Sequence, residues 1–222
     1  MKNHEDVLAI VEELKKLYPE GLCSLQYPKP YELLFSVRLA AQCTDERVNM
    51  VTPALFARFP TLESLAQADP AEVETYIHST GFFRAKTRDI VAASRMLVEQ
   101  YGGRVPDTME ELLKLPGVGR KTANLILGDV YHTPGVVVAD THCIRMANRI
   151  GFVTDTTDPV QVERALVKVL PPEESNDFCH RCVMHGRVVC TARKALCEVC
   201  CLQDVCRTGK KTIKQETLEE LV

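Results

Sequence analysis

Four cysteines near the C-terminus, Cys190, Cys197, Cys200 and Cys206, follow the spacing C-x6-C-x2-C-x5-C within 17 residues. Thiolates so close in sequence can surround one metal centre. Structural zinc prefers two separated C-x2-C knuckles and bacterial ferredoxins run C-x2-C-x2-C-x3-C, so spacing leaves zinc and an iron–sulfur cluster equally open. A second chemical feature is the string LPGVGRKTAN at residues 115–124. Pro116-Gly117-Val118-Gly119 is a tight turn, and the helical run beginning at Arg120 directs its first amides and the positive end of its dipole at one point, which suits a phosphate. Such a hairpin grips a nucleic-acid backbone without reading bases, although an ordinary helix corner has the same spacing. Asp140, 19 residues after Lys121, precedes another helical run. Its carboxylate can cap that helix or do acid–base work, and the two roles are compatible.

The rest of the composition bounds what these groups can belong to. A chain of 222 residues with 45% hydrophobic content supports a globular core in one large or two modest domains. No window approaches the ~18 apolar residues of a membrane span, and MKNHEDVLAI has no signal-peptide core, so a cytoplasmic protein is expected. Ten cysteines are many for a reducing compartment, but seven lie between Cys179 and Cys206, which favours a local metal site over a disulfide framework. Cys201 could stand in for Cys200. Cys179 and Cys182 have knuckle spacing but lie on a helical run, where half-buried packing is the simpler role.

The formal charge of −3 argues against a surface that binds polyanions everywhere. Residues 181–214 nevertheless carry Arg181, Arg187, Arg193, Lys194, Arg207, Lys210, Lys211 and Lys214 against Glu198 and Asp204, a local +6. Residues 61–80 carry four acids and no lysine or arginine, so a two-faced molecule is expected.

Helical periodicity dominates and no alternating strand stands out, so the fold class is all-α. The pattern predicts helices over 5–17, 30–41, 45–57, 70–78, 85–101, 108–114, 120–131, 141–150, 158–170 and 174–189. Asp69-Pro70 and Asp158-Pro159 pair a cap acceptor with proline at the first helical position. Asp107 to Glu110 has capping-box spacing, and Gly102-Gly103 and Gly151 are natural stops. Residues 212–222 read as a short amphipathic helix or a frayed tail.

Together with Ala41-Gln42-Cys43-Thr44-Asp45, Val138-Ala139-Asp140-Thr141-His142, His185-Gly186-Arg187 and the terminal cysteines, the hairpin string resembles the endonuclease III family of helix-hairpin-helix DNA glycosylases over about residues 30–207. The resemblance implies two helical domains flanking a DNA-binding groove. One, 24–134, holds the helix-hairpin-helix at about 108–131, and the other joins 1–23 to 135–222. It also implies a monomer that acts on double-stranded DNA containing damaged bases or abasic sites, removing oxidised or damaged pyrimidines and cleaving the strand by β-elimination.

In that reading Lys121 is the nucleophile and Asp140 the catalytic carboxylate. An amine suits this chemistry, because its attack on the anomeric carbon leaves an iminium that acidifies the neighbouring C–H. A lysine is almost fully protonated at neutral pH, and a helix N-terminus offset by DNA phosphates cannot free its amine, so desolvation on substrate binding must contribute. The resemblance makes Cys190, Cys197, Cys200 and Cys206 the ligands of a 4Fe-4S cluster, with Arg193 and Lys194 on a loop pinned against DNA. Gly117, Val118, Gly119 and Arg120 hold phosphate, while Gln42 and Phe82 enter the duplex as the target base flips out. Phe82 departs from the apolar, commonly leucine, wedge of the family, and core packing is its competing role. His142 and His185 read as structural.

An adenine-mismatch glycosylase is a rival, but its members typically lack this lysine and carry an extra C-terminal domain. Enzymes that remove alkylated or mismatched bases with the same lysine are a closer rival. A non-catalytic iron–sulfur DNA-binding module is the alternative from another class.

Overall fold

A computed structural model describes residues 2–212, so the expected element at 212–222 and the basic residue Lys214 lie almost wholly outside the described residues. Among those described the chain is helical, with no strand and one isolated bridge, Cys190 to Ala195. No described helix is long and apolar enough to cross a membrane. The helices are α1 (His4–Leu17), α2 (Pro30–Ala40), α3 (Asp45–Arg58), α4 (Leu62–Ala66), α5 (Pro70–Ile77), α6 (Phe83–Tyr101), α7 (Met109–Leu112), α8 (Arg120–Asp129), α9 (Thr141–Ile150), α10 (Pro159–Val167) and α11 (Ser175–Val188). Backbone contacts divide the chain into two compact units, Cys23–His132 and Met1–Leu22 with Thr133–Val222.

The continuous unit is organised by α6, against which α2, α4 and α5 pack. Ile90, Ala93 and Leu97 recur at helical spacing on its buried face, and Ile90 and Leu97 each contribute about 1.5–3 kcal/mol of burial. Asp69 starts α5 by accepting from the Ala71 amide, and Gly102 ends α6 in the left-handed conformation with φ 59°. α4 has no counterpart in the periodicity. Five residues are too few to show a stripe, and it is held by a capping box in which Thr61 and Ser64 exchange bonds. The cap of α7 is Thr108, whose hydroxyl accepts from the Glu111 amide and donates to the Glu111 carboxylate, so the cap lies one residue beyond the expected Asp107 and the reciprocal bond of a box is not formed among the described residues.

In the discontinuous unit α1 packs on α11, burying Val7, Ile10, Val11 and Leu14. Arg181 of α11 is 1% exposed and cannot belong to a basic surface. Its guanidinium donates to the Tyr18 carbonyl, to Glu174 at 2.8 Å and to Asp177 at 3.3 Å. Glu174 also binds Lys15 of α1. Burial pushes the Glu174 carboxyl up, but Lys15 and Arg181 outweigh it and hold the group below its ordinary value. Arg207 is likewise spent on the Asn148 and Val153 carbonyls. The basic face therefore loses two of its eight expected members to internal bonding. α10 stops at Val167, short of 170; the Val169 and Leu170 amides share the Leu166 carbonyl, and Pro171-Pro172 bar the helix from continuing.

Candidate functional site

In the continuous unit α7 and α8 flank the turn Pro116–Gly119. Gly117 has φ 77°, and a Cβ there would lie 2.9 Å from both Arg38 Nε and Asp89 Cβ. Glycine is thus required twice, by the backbone and by the Arg38–Asp89 ion pair of α2 and α6 (2.7 Å) that braces the turn. Gly119 differs. Its φ is −105°, which any residue adopts, and a Cβ would meet nothing within 4 Å. No internal contact requires glycine at 119; what its missing side chain provides is a clear approach from solvent to the first turn of α8. The Val118 amide is spent on the Leu115 carbonyl (3.1 Å), so it is not among the amides presented outward. Ala123, Asn124, Leu125, Ile126 and Leu127 are buried, which leaves Arg120 and Lys121 exposed at the N-terminal end of α8.

Gln42 and Phe82 belong to the same unit, each at the tip of a short connection. Both are exposed, Phe82 to 68%, which removes core packing as the role of that ring. Both are also left-handed, with φ 55° and 48°. For residues that are neither glycine nor asparagine this conformation costs on the order of 1–3 kcal/mol, and it concentrates at binding sites. Phe83, by contrast, is half-buried and stacks against His78 with ring centroids 4.4 Å apart.

In the discontinuous unit Asp140 caps α9. Its Oδ1 accepts from the Cys143 amide at 2.7 Å, while Oδ2 has no hydrogen bond among the described residues. The residues before it, Val136–Ala139, form a buried non-helical strap. A buried strap must pair its amides, and the Val138 N–H donates to Cys179 Sγ at 3.3 Å. Cys143, Cys179 and Cys182 are all buried, Cys182 completely rather than by half. The Cys179 thiol is pushed well up by its hydrogen bond with Cys143 and then by burial, and burial raises Cys182. These neutral thiols seat the strap and its aspartate on α11.

His142 is half-buried beside Arg145, whose Nη2 lies 3.0 Å from His142 Nδ1. Burial lowers the imidazole pKa despite the pull of Asp140. A Cβ on Gly186 would come within 2.7 Å of both side chains, which explains the glycine between His185 and Arg187. His185 is buried, 3.3 Å from both the Tyr18 hydroxyl and Cys200 Sγ.

Cys190, Cys197, Cys200 and Cys206 line one cavity of about 290 Å³, part of it open to solvent, and Cys201 is not among the lining residues. Two arginines that spacing did not single out tie this loop to α9. Arg145 donates to the Cys190 carbonyl, and Arg149 donates to Cys190 Sγ (3.3 Å) and the Thr191 carbonyl (2.7 Å). The Arg149 carbonyl in turn accepts from Cys206 Sγ. Sequence alone offered only their i, i+4 spacing on α9, which reads equally well as a solvated basic face. Arg193 and Lys194 are exposed on the loop between the first two cysteines.

Residues 35–172 match the HhH-GPD superfamily base excision DNA repair proteins. The chain is 51% identical over 197 residues to endonuclease III of Synechocystis sp. (strain ATCC 27184 / PCC 6803 / Kazusa), covering 89% of this chain and 90% of that one. It is 38% identical over 204 residues to endonuclease III of Escherichia coli (strain K12), covering 92% and 96%. A solved structure of a trapped endonuclease III–DNA covalent intermediate superposes with a TM-score of 0.88 at 38% identity, covering 96% of this chain and all of that one. The glycine hairpin, the capped aspartate and the four-cysteine cavity thus lie in a chain that belongs to the HhH-GPD superfamily of base excision DNA repair proteins and, within it, to the endonuclease III family.

Proposed function

We propose that this chain excises damaged pyrimidines from duplex DNA and then cuts the abasic strand, with Lys121 and Asp140 as its reacting pair. The observation that carries the reading is the exposed amine of Lys121 on the first turn of α8, directly after a glycine turn open to solvent. The turn of Gly117, Val118 and Gly119 brings the first amides of α8 and the Arg120 charge to a phosphate beside it, the Val118 amide itself being spent on the Leu115 carbonyl. The Lys121 Nζ, once free of its proton, forms a bond to the sugar's anomeric carbon as the bond to the base breaks, and the base departs with the electron pair. Asp140 stabilises the positive charge that develops on the sugar and takes the proton released by the attacking amine. The C1′–O4′ bond of the sugar then opens, the ring oxygen taking a proton, and leaves an iminium that acidifies the adjacent C–H; loss of that proton expels the 3′ phosphate by β-elimination, and water releases the lysine.

The donor set fits a 4Fe-4S cluster. Four thiols line one cavity. No three of their sulfurs lie within 4.8 Å of one another, whereas four thiolates around zinc at ~2.3 Å would be about 3.8 Å apart. Cys190, Cys197, Cys200 and Cys206 would hold it. When bound, the cluster supplies a rigid cross-link that fixes the loop bearing Arg193 and Lys194, and its binding energy adds to folding of that segment. Purified protein is expected to be brown, with iron and acid-labile sulfide in equal amounts; a colourless protein containing zinc would overturn this assignment.

The enzymatic reading is tested with a labelled abasic duplex, with and without borohydride. Strand cleavage without the reductant and a covalent protein–DNA adduct with it are expected. Binding accompanied by neither product would make the chain a non-catalytic DNA clamp. A panel of oxidised, alkylated and mismatched bases then fixes the substrate, with oxidised pyrimidines expected to be released fastest.

A further inference from the structure

Lys86 is 0% exposed, and nothing in the proposed chemistry uses it. Its Nζ donates to the Leu39 carbonyl at 2.7 Å and to the Thr80 carbonyl at 2.8 Å. Leu39 is in the last turn of α2, three residues before Gln42, and Thr80 is two residues before Phe82. The Lys86 amide also accepts a structural task, donating to the Phe82 carbonyl at 3.1 Å. One buried side chain therefore joins the two connections whose tips are the exposed, left-handed Gln42 and Phe82.

The chemistry of the contact is specific. Carbonyls in the last turn of a helix lack intrahelical donors and lie at the negative end of its dipole, so an ammonium there is favourably placed. Burial lowers the lysine's pKa, Cys43 opposes that and Arg38 reinforces it. A buried cation is a poor device for stability alone, because well-packed apolar residues often do as well without the desolvation cost. What the ammonium adds is directed bonds to two carbonyls that come from segments 41 residues apart in the chain.

We propose that Lys86 is a positioning residue for base extrusion, whose two hydrogen bonds fix the Gln42 and Phe82 connections relative to each other so that both side chains enter the duplex as one unit. The inference rests on the reading of Gln42 and Phe82 as the residues that enter DNA. Two tips that must fill adjacent spaces in one distorted base step tolerate little relative drift, and each left-handed backbone needs its surroundings to hold it.

The test is a double-mutant cycle of Lys86→Met and Phe82→Ala, with single-turnover excision of an oxidised pyrimidine from duplex DNA as the main readout. Lys86→Met is expected to slow duplex excision on the order of 10- to 100-fold, the range set by losing one or two charge-assisted hydrogen bonds. Cleavage of an abasic site in single-stranded DNA, which offers no stack to enter, is expected to stay within about twofold of the parent once rates are referred to folded protein. The double variant should be no slower than the slower single one, and the fluorescence rise of 2-aminopurine opposite an abasic site should shrink. Parallel loss of both activities, or losses that multiply, would overturn the proposal while leaving the glycosylase reading intact. Unchanged duplex excision by Phe82→Ala would remove the duplex-entry reading and the proposal with it. If Lys86→Met does not fold, Lys86→Gln, which keeps a donor nitrogen, carries the same cycle with the same criteria.

Discussion

Lys121→Gln is expected to abolish borohydride trapping on damaged or abasic DNA and to lower base release by at least ~10⁴-fold, the scale on which enzymes lose turnover when a nucleophile is removed. Glutamine separates chemistry from architecture. Its helix propensity is close to that of lysine, and position 121 is exposed, so α8 and its buried face should be undisturbed. The glycine turn and its presentation of backbone amides to phosphate are untouched. Binding to an uncleavable abasic duplex should therefore weaken only slightly. If the lysine also meets a phosphate, the log–log salt slope falls by about 0.9. Strand cleavage should disappear more completely than base release, because β-elimination here depends on the iminium, whereas water assisted by Asp140 can still displace a base slowly. Trapping at the parental level would take Lys121 out of the mechanism.

Asp140→Asn should reduce excision by roughly 10³-fold, between the contributions typical of a general base and of a charge aimed at the transition state. The substitution isolates the charge, since asparagine caps a helix about as well as aspartate. The side-chain oxygen can still accept the Cys143 amide, now at 2.7 Å, and α9 should keep its start. What is lost is the negative charge carried by the second oxygen, the one without a hydrogen bond among the described residues. Thermal stability and affinity for abasic duplex should change little. Asp140→Ala provides the contrast, adding a capping loss of about 1 kcal/mol to the same catalytic defect. Unchanged single-turnover excision by Asp140→Asn would leave this residue only its structural task.

Elements with local punctuation were legible before any coordinates. Asp69 and Asp158 cap the helices that begin at the following prolines, and Gly102 and Gly151 end theirs in the left-handed conformation. These are short-range rules, and sequence carries them. α4 escaped because its evidence is a reciprocal pair of hydroxyl bonds rather than a stripe. Arg181 was counted as surface charge because, besides the nearby Glu174 and Asp177, it bonds the Tyr18 carbonyl far away in the chain. Charge counting cannot see a bond between residues so far apart. The left-handed backbone of Phe82 was hidden for a similar reason, since only the surrounding fold can impose that conformation on a bulky residue. Cys179 looked like inert packing, yet it supplies the acceptor that a buried amide needs. Lys86 did leave a trace. It sits four residues before Ile90 and eleven before Leu97, on the apolar stripe of α6, where a lysine is out of place unless bonded.

The order of the chain along its two units has a consequence for synthesis. Residues 23–132 form a continuous unit, so the hairpin and the connections bearing Gln42 and Phe82 can assemble as soon as they leave the ribosome. The other unit draws on both ends of the polypeptide. α1 presents Val7, Ile10, Val11 and Leu14 to a partner, α11, whose Arg181 is 163 residues beyond the Tyr18 carbonyl it must reach. Closing so long a loop costs little more entropy than closing a shorter one, but it takes time. At roughly 5–20 residues per second, the apolar face of α1 waits some seconds for its cover. A nascent chain stalled before residue 175 would carry a finished hairpin unit behind an unshielded N-terminal helix, which makes α1 the segment most in need of a chaperone.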